Sequence, residues 1–302
     1  MELEWLEVFA EAARRGSLTA AGQALGYTQS AVSRQVAALE QALGAALFER
    51  LPRGVRLTAE GGAVLAHAEA VLGSVRAARR DLAALRGLAA GRLRVGAFDS
   101  AMAALVPAAL ADFRAAHPGV ALSLVAQRTE IQLGYLRAGE IDVAVVSVYP
   151  HQTAEELAAV DLRHLVDDPL LVALPAGHRL AGRGTLRLAD LAGERWVEGF
   201  PGGLETLTEA CRRAGFQPRV DFEVREWIGK QGFVAAGLGL TLVPRLAAAA
   251  VPPAVVLRPL RPDDAPVRTV YAATRRGSAL PPAVPAFLAC LERAVETHVT
   301  VG

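Results

Sequence analysis

Residues 19 to 43 contain two helical patterns parted by only Gly26 and Tyr27, and no other feature restricts the fold of this chain so tightly. A two-residue connection leaves no room for a gradual change of direction, so the two axes must cross steeply. In the second segment, TQSAVSRQVAALE from Thr28 to Glu40, Val32, Val36 and Leu39 fall on one side and make a narrow buried stripe. Thr28 is suited to cap its start, because its hydroxyl can accept from the free N–H groups of the first turn. The opposite face carries Ser30, Ser33, Arg34 and Ala37, where a solvated helix commonly carries Glu and Lys. Small side chains let a helix backbone come close to base edges in the major groove, and bulky ones would hold it off. A solvated surface helix is the competing reading of this segment taken alone.

The flanking residues decide between the two. Leu3, Leu6, Phe9 and Ala13 line one side of a helix over residues 2–15, with Gly16 as its stop. After Leu43 and Gly44, ALFERLPRGVRLT reads as two short strands around the turn Leu51-Pro52-Arg53-Gly54, where Pro at the second position and Gly at the fourth suit a type I turn. A hairpin beside a helix-turn-helix is a wing. Arg53 at its tip, with Arg50 and Arg56 flanking, could reach phosphates or a minor groove, the alternative being a solubilising loop. The net charge of the chain is only +1, and residues 1–58 hold six Arg against six Glu. Charge matters to a phosphate backbone locally, however. Residues 27–58 carry Arg34, Arg50, Arg53 and Arg56 against Glu40 and Glu49, which is a positive patch.

From Thr58 the period changes. Val64, Ala68, Val71, Val75, Ala78, Leu82 and Leu85 recur every three or four residues as a heptad seam. A helix over 59–86 would be roughly 42 Å long at about 1.5 Å per residue. A small N-terminal domain has too little surface to cover it, so a second copy of the chain is the expected partner, and packing against its own chain is the alternative. GLAAG at 87–91 reads as a hinge. Beyond it, short apolar runs such as LRVGAF, VALSLV and IDVAVVSV alternate with helical patterns, which predicts an α/β region with largely parallel sheets. Some 210 residues should form two lobes rather than one sheet.

Composition adds exclusions. With 52% apolar and 21% charged residues, disorder is not expected. The first sixteen residues carry four acidic side chains and no basic segment ahead of their apolar positions, so they do not read as a secretory signal, and no run of about 18 apolar residues offers a membrane span. A cytoplasmic protein without a membrane partner is expected. Cys211 and Cys290 lie far apart and read as core fillers.

Three stretches carry a family resemblance: LEVFAEAARRGSLTAAGQALGYTQSAVSRQVAALEQALGAALFERLPRGVRLTAEG near the N-terminus, AGEIDVAVV at 138–146, and VAAGLGLTLVP at 234–244. In these the chain resembles the LysR-type transcriptional regulators, over its whole length and in the family's order. The resemblance implies an α+β multidomain protein: a winged helix-turn-helix over 1–58, a dimerising linker helix over 59–86, a hinge over 87–91 and an effector-binding domain over 92–302. That domain would be two-lobed and similar to a periplasmic binding protein, lobe I spanning about 92–162 and 267–302 and lobe II about 163–266. The chain would cross between lobes near 161–166 and 264–267. Carried over by position, Thr28, Gln29, Ser30, Ser33 and Arg34 would face the groove, with Arg53 at the wing tip. Promoter duplex DNA, a small-molecule effector and further copies of the chain, as dimer and tetramer, are the implied partners, with RNA polymerase open as another. No cofactor or metal is implied.

Ser100, Thr129 and the Gly202-Gly203 pair each follow a strand pattern and open a helical one, where free N–H groups favour polar or anionic ligand groups. A small carboxylate is therefore the expected effector class, although Asp99, Glu130 and Glu205 beside these starts oppose it. Ser147, Phe200, Pro201 and Trp227 are further cleft candidates by family position. Rival functions lack their marks: there is no G-x-S-x-G, no H-E-x-x-H and no complete G-x-G-x-x-G for an enzyme. The single lysine, Lys230, is followed by Gln231, which excludes a P-loop, and the six histidines lack metal spacing. A transport binding protein is opposed by the first 58 residues. An architectural DNA-binding protein without effector differs from a regulator only in its response to small molecules.

Overall fold

Side-chain caps start the second and third helices in the computed structural model, which describes residues 1–52, 54–84, 91–149, 157, 160–199, 201–277 and 280–300. The Ser17 hydroxyl accepts from the Ala20 N–H at 3.3 Å and that of Thr28 from the Ala31 N–H at 3.2 Å. They follow α1 (Leu3–Arg15) and open α2 (Leu18–Leu25) and α3 (Gln29–Leu43). Between α2 and α3, Gly26 takes φ +74°, a left-handed value that only glycine adopts without strain, and its N–H returns to the Gly22 carbonyl. Val32, Val36 and Leu39 are the buried residues of α3, as the stripe predicts. They join Leu6, Val8, Phe9, Ala12 and Ala21 in the two apolar clusters of this region.

The hairpin forms from β1 (Phe48–Leu51) and β2 (Gly54–Leu57), paired antiparallel. It is fastened to α3 by Glu40, whose Oε1 accepts from the backbone N–H groups of Leu47 at 2.7 Å and Phe48 at 3.2 Å. Next comes α4 (Ala59–Ala84), 26 residues long, its first turn capped by Thr58 through the Gly61 N–H at 2.9 Å. Gly61 lies so close to the wing that a Cβ there would sit 2.1 Å from the Leu47 carbonyl oxygen. Alanine would gain about 1 kcal/mol in helix propensity, but it must push α4 off a fixed backbone atom. We expect Gly61→Ala to destabilise this region by about 1–3 kcal/mol net, read as a lower urea midpoint in hydrogen-exchange peptides from α1 and α4. A neutral or stabilising result would show that the approach relaxes.

The heptad seam is divided in the structure. Ala68 and its neighbour Leu72 are buried against Leu6, Phe9, Leu39 and Leu47 of the same chain, whereas Val71 is 45% exposed. Part of the stripe read as a partner-facing seam is thus covered by α1, because a helix that follows the wing without a break keeps its first turns beside the core. Val75 is half-buried and Ala78 exposed. Leu85 and residues 87–90 of the expected hinge lie outside the described residues.

Backbone contacts divide the chain into two units, Met1–Leu85 with Gly134–Glu140, and Arg86–Leu133 with Ile141–Gly302. In the second, β3 (Gly91–Ala97) is the central parallel neighbour of β4 (Val120–Ala126) and β5 (Val143–Val148). Two helices, α5 (Asp99–Met102) and α6 (Leu105–Ala116), follow β3, and α7 (Thr129–Arg137) follows β4. A 16-residue strand, β6 (Val160–Pro175), then leaves this lobe. The second lobe contains β7 (Arg195–Val197), α8 (Pro201–Arg213), β8 (Arg219–Phe222), α9 (Trp227–Ala235), β9 (Thr241–Pro244) and β10 (Val255–Arg258). The return strand β11 (Val267–Arg275) leads to α10 (Ala283–Thr300), which packs Phe287 edge-on to Phe113 of α6 at 5.9 Å. Each lobe has its own core, one around Val95, Phe113 and Phe287, the other around Trp196, Val172 and Cys211.

The expectation of largely parallel sheets needs correction. β11 runs antiparallel to β5 and β6, and β6 runs antiparallel to β9 and β10. The reason is topological: a chain that leaves a lobe along one strand and returns along its neighbour must run both ways. Along β6 the partner changes, from β11 as far as Pro169 to β9 from Leu170. Cys211 and Cys290 are free and buried. Among the described residues no helix is long and apolar enough to cross a membrane.

Candidate functional site

On the N-terminal unit, the face of α3 opposite its buried stripe is open. Thr28, Gln29, Ser30, Arg34 and Ala37 are exposed and Ser33 is half-buried. Packing explains the arrangement, because the three apolar residues that hold α3 down all lie on its other side. The Thr28 and Ser30 hydroxyls are 3.1 Å apart, and the Arg50 guanidinium reaches the Ser33 hydroxyl at 3.5 Å, bringing the hairpin to the helix. Arg34 has no acidic partner among the described residues. Arg56 stands across the hairpin from Glu49 and donates to it at 2.6 Å. With both side chains well exposed that pair is weak, and a phosphate could displace the carboxylate. Arg53 lies outside the described residues.

On the second unit a cavity of about 430 Å³ opens between the lobes. Of the sequence candidates, Ser100, Thr129, Ser147 and Trp227 line it. Phe200 lies outside the described residues; Pro201 opens α8 at the backbone, and its neighbour Gly203, rather than Gly202, reaches the cavity. Two of the hydroxyls expected to face a ligand, those of Ser100 and Thr129, are already engaged. Ser100 Oγ accepts from Arg268 at 2.8 Å. Thr129 Oγ1 accepts from the Ser147 N–H at 3.2 Å and donates to the Ser147 carbonyl at 3.1 Å, fastening the start of α7 to the end of β5. Trp227 differs: its indole N–H is buried without an acceptor among the described residues, a donor left unmatched.

Two buried ion pairs define the chemistry of the walls. Arg268 donates twice to Asp168 Oδ2, at 2.7 and 3.0 Å, and lies 4.8 Å above the Phe98 ring. Burial works against its charge, and Tyr149 and Asp168 offset that, so the guanidinium stays charged. The two residues face one another on the strands that join the lobes, and Asp168 Oδ1 also accepts from the Leu246 N–H at 3.0 Å. The second pair is Lys230 with Glu198, both buried and both lining the cavity. Sequence reading missed all four residues as site residues. Lys230 had a signal, as the only lysine in the chain. Arg268 and Asp168, 100 positions apart, had none.

The chain's similarity to known proteins follows the same division. Residues 3–62 match the family model described as bacterial regulatory helix-turn-helix protein, lysR family, and residues 86–296 match the LysR substrate binding domain. It is 36% identical over 293 residues to the HTH-type transcriptional regulator TfdS of Cupriavidus pinatubonensis, covering 95% of this chain and 97% of that protein. A full-length CbnR complexed with its target DNA superposes with a TM-score of 0.59 at 27% identity, covering 98% of this chain and all of that one. An OxyR variant of Corynebacterium glutamicum with bound hydrogen peroxide gives 0.62 at 25% identity, covering 99% and 94%.

Proposed function

This chain belongs to the LysR family of transcriptional regulators, and we propose that the open face of α3 enters the major groove of its promoter while the cavity between the lobes takes a small carboxylate as effector. The chain is a DNA-binding regulator and not an enzyme. The observation that carries the groove reading is the packing of α3, with Val32, Val36 and Leu39 buried and Ser30, Arg34 and Ala37 turned outward. Thr28, Gln29, Ser33 and Arg50 complete the contact, and Arg53 and Arg56 hold phosphates or a neighbouring minor groove. The winged domain ends near residue 58 and the effector domain begins near 92. Two copies pair through the exposed remainder of α4 around Val71, dimers assemble further into tetramers, and RNA polymerase is met at the promoter.

A ligand that favours one closure of the lobes biases the arrangement of the subunits, and a coupling of about 1–3 kcal/mol is enough to move the paired helices on or off successive grooves. Trp227 supplies a hydrogen-bond donor, and the ion-paired walls hold the ligand's charge. Arg34→Ala tests the DNA half: we expect a loss of about 1–3 kcal/mol on the operator and a smaller one on random duplex. Equal losses on both would reduce Arg34 to a phosphate contact. A peroxide-sensing reading, suggested by the OxyR likeness, is opposed by the thiols. Burial pushes Cys211 up to about 12, and Cys290 is also buried, so a nucleophilic thiolate is not at hand.

A further inference from the structure

Of the 32 lysine and arginine residues of this protein all but Lys230 are arginine, and that one lysine lies in the cavity wall already holding a carboxylate. Its Nζ donates to Glu198 Oε1. The same oxygen accepts from the Gly199 N–H at 2.9 Å. A Cβ on Gly203, in the first turn of α8, would sit 3.0 Å from the Glu198 carboxyl carbon, so the missing side chain lets the carboxylate lie against the helix start. An ammonium, a backbone N–H and the positive end of a 13-residue helix converge there as they would on a bound anion.

We propose that Glu198 is a tethered stand-in for the effector's carboxylate, which on binding takes over Lys230 and the start of α8 and releases Glu198 from the cavity wall. This rests on the reading of the cavity as the effector site. The alternative, a purely structural pair, explains the site less well. A buried ion pair contributes little net stability, and lysine is a compact charge on a flexible stem that can exchange partners. Arg268 and Asp168 show the contrast, since their planar, two-bond contact is locked between adjacent strands. The tether makes Glu198 an intramolecular competitor at an effective concentration of about millimolar or more. Only a ligand carboxylate with further contacts, such as one reaching the Trp227 indole, displaces it, which gives selectivity against simple anions and links occupancy to movement of the segment that carries Glu198 into α8.

A single lysine makes the test direct, because lysine labelled with 15N at the side chain gives one Nζ signal in the full-length protein. The probes are succinate and its neutral diamide. We expect succinate, and not the diamide, to shift the Lys230 signal, and Glu198→Gln to tighten succinate binding by about tenfold. Glu198→Gln combined with Lys230→Gln leaves no buried charge of this pair, so it should fold and no longer bind succinate. A Lys230 signal that succinate never moves in either lysine-containing protein, or succinate binding unchanged or weakened by Glu198→Gln, overturns the proposal. Metabolites that bind and are lost on Trp227→Ala while Lys230 stays silent would leave the cavity reading intact and remove only the stand-in. Metabolite binding that survives Trp227→Ala with Lys230 silent would remove both.

Discussion

Asp168→Ala is expected to destabilise the effector domain by about 3–5 kcal/mol, because it leaves the Arg268 guanidinium buried without its counter-charge. Three contacts fail together: the two guanidinium bonds at 2.7 and 3.0 Å, the Leu246 N–H bond, and with them the clip between the two strands that join the lobes. Arg268→Met should be milder, since the aspartate keeps its backbone donor. Asp168→Leu with Arg268→Met should recover much of the loss, as removal of both charges ends the desolvation problem. Urea unfolding of the full chain, resolved by hydrogen exchange into β6 and β11, reads all three. A double variant as unstable as Asp168→Ala would mean that shape at the crossing, and not charge, is what the lobes require.

On the DNA side, Ala37→Tyr should bring operator affinity down to the level of random duplex, a loss of about a thousandfold or more, with the fold intact. Ala37 is exposed on the face opposite Val32, Val36 and Leu39, so a tyrosine there stays outside the core and should change stability by less than about 0.5 kcal/mol. In the groove the same ring would lift α3 off the base edges by several ångströms, and hydrogen bonds to bases do not survive that. The salt dependence should persist, because the phosphate contacts proposed for Arg50, Arg53 and Arg56 remain. Fluorescence anisotropy against the footprinted operator and a scrambled duplex separates these outcomes. Unaltered operator binding by a folded Ala37→Tyr chain would put the contact face elsewhere.

The N-terminal region was largely legible from residue order because its signals are local. The cap at Thr28, the glycine at 26 and the stripe of α3 each act within one or two turns of helix, and the structure places them as their chemistry requires. Signals failed where the partner is remote. The spacing of Val64, Ala68 and Val71 announces an apolar stripe but not what covers it, and α1 covers part of it. Strand direction in the effector domain depends on how often the chain changes lobes, which no run of residues encodes. The cavity shows the same limit: helix starts at Ser100 and Thr129 were visible, yet their hydroxyls are engaged by Arg268 and Ser147, residues far away in the chain. Lys230 stood out as a lone lysine, and only the fold could supply Glu198 beside it.

Dimethyl-sulfate protection on the operator addresses the groove claim most directly, since guanine N7 reacts from the major groove and adenine N3 from the minor. With the full chain bound, we predict N7 protection in discrete patches separated by about 10–10.5 base pairs or a multiple of that spacing, one patch for each α3 of a dimer. Ala37→Tyr should erase those patches. Adenine N3 protection with every N7 still reactive would contradict the account.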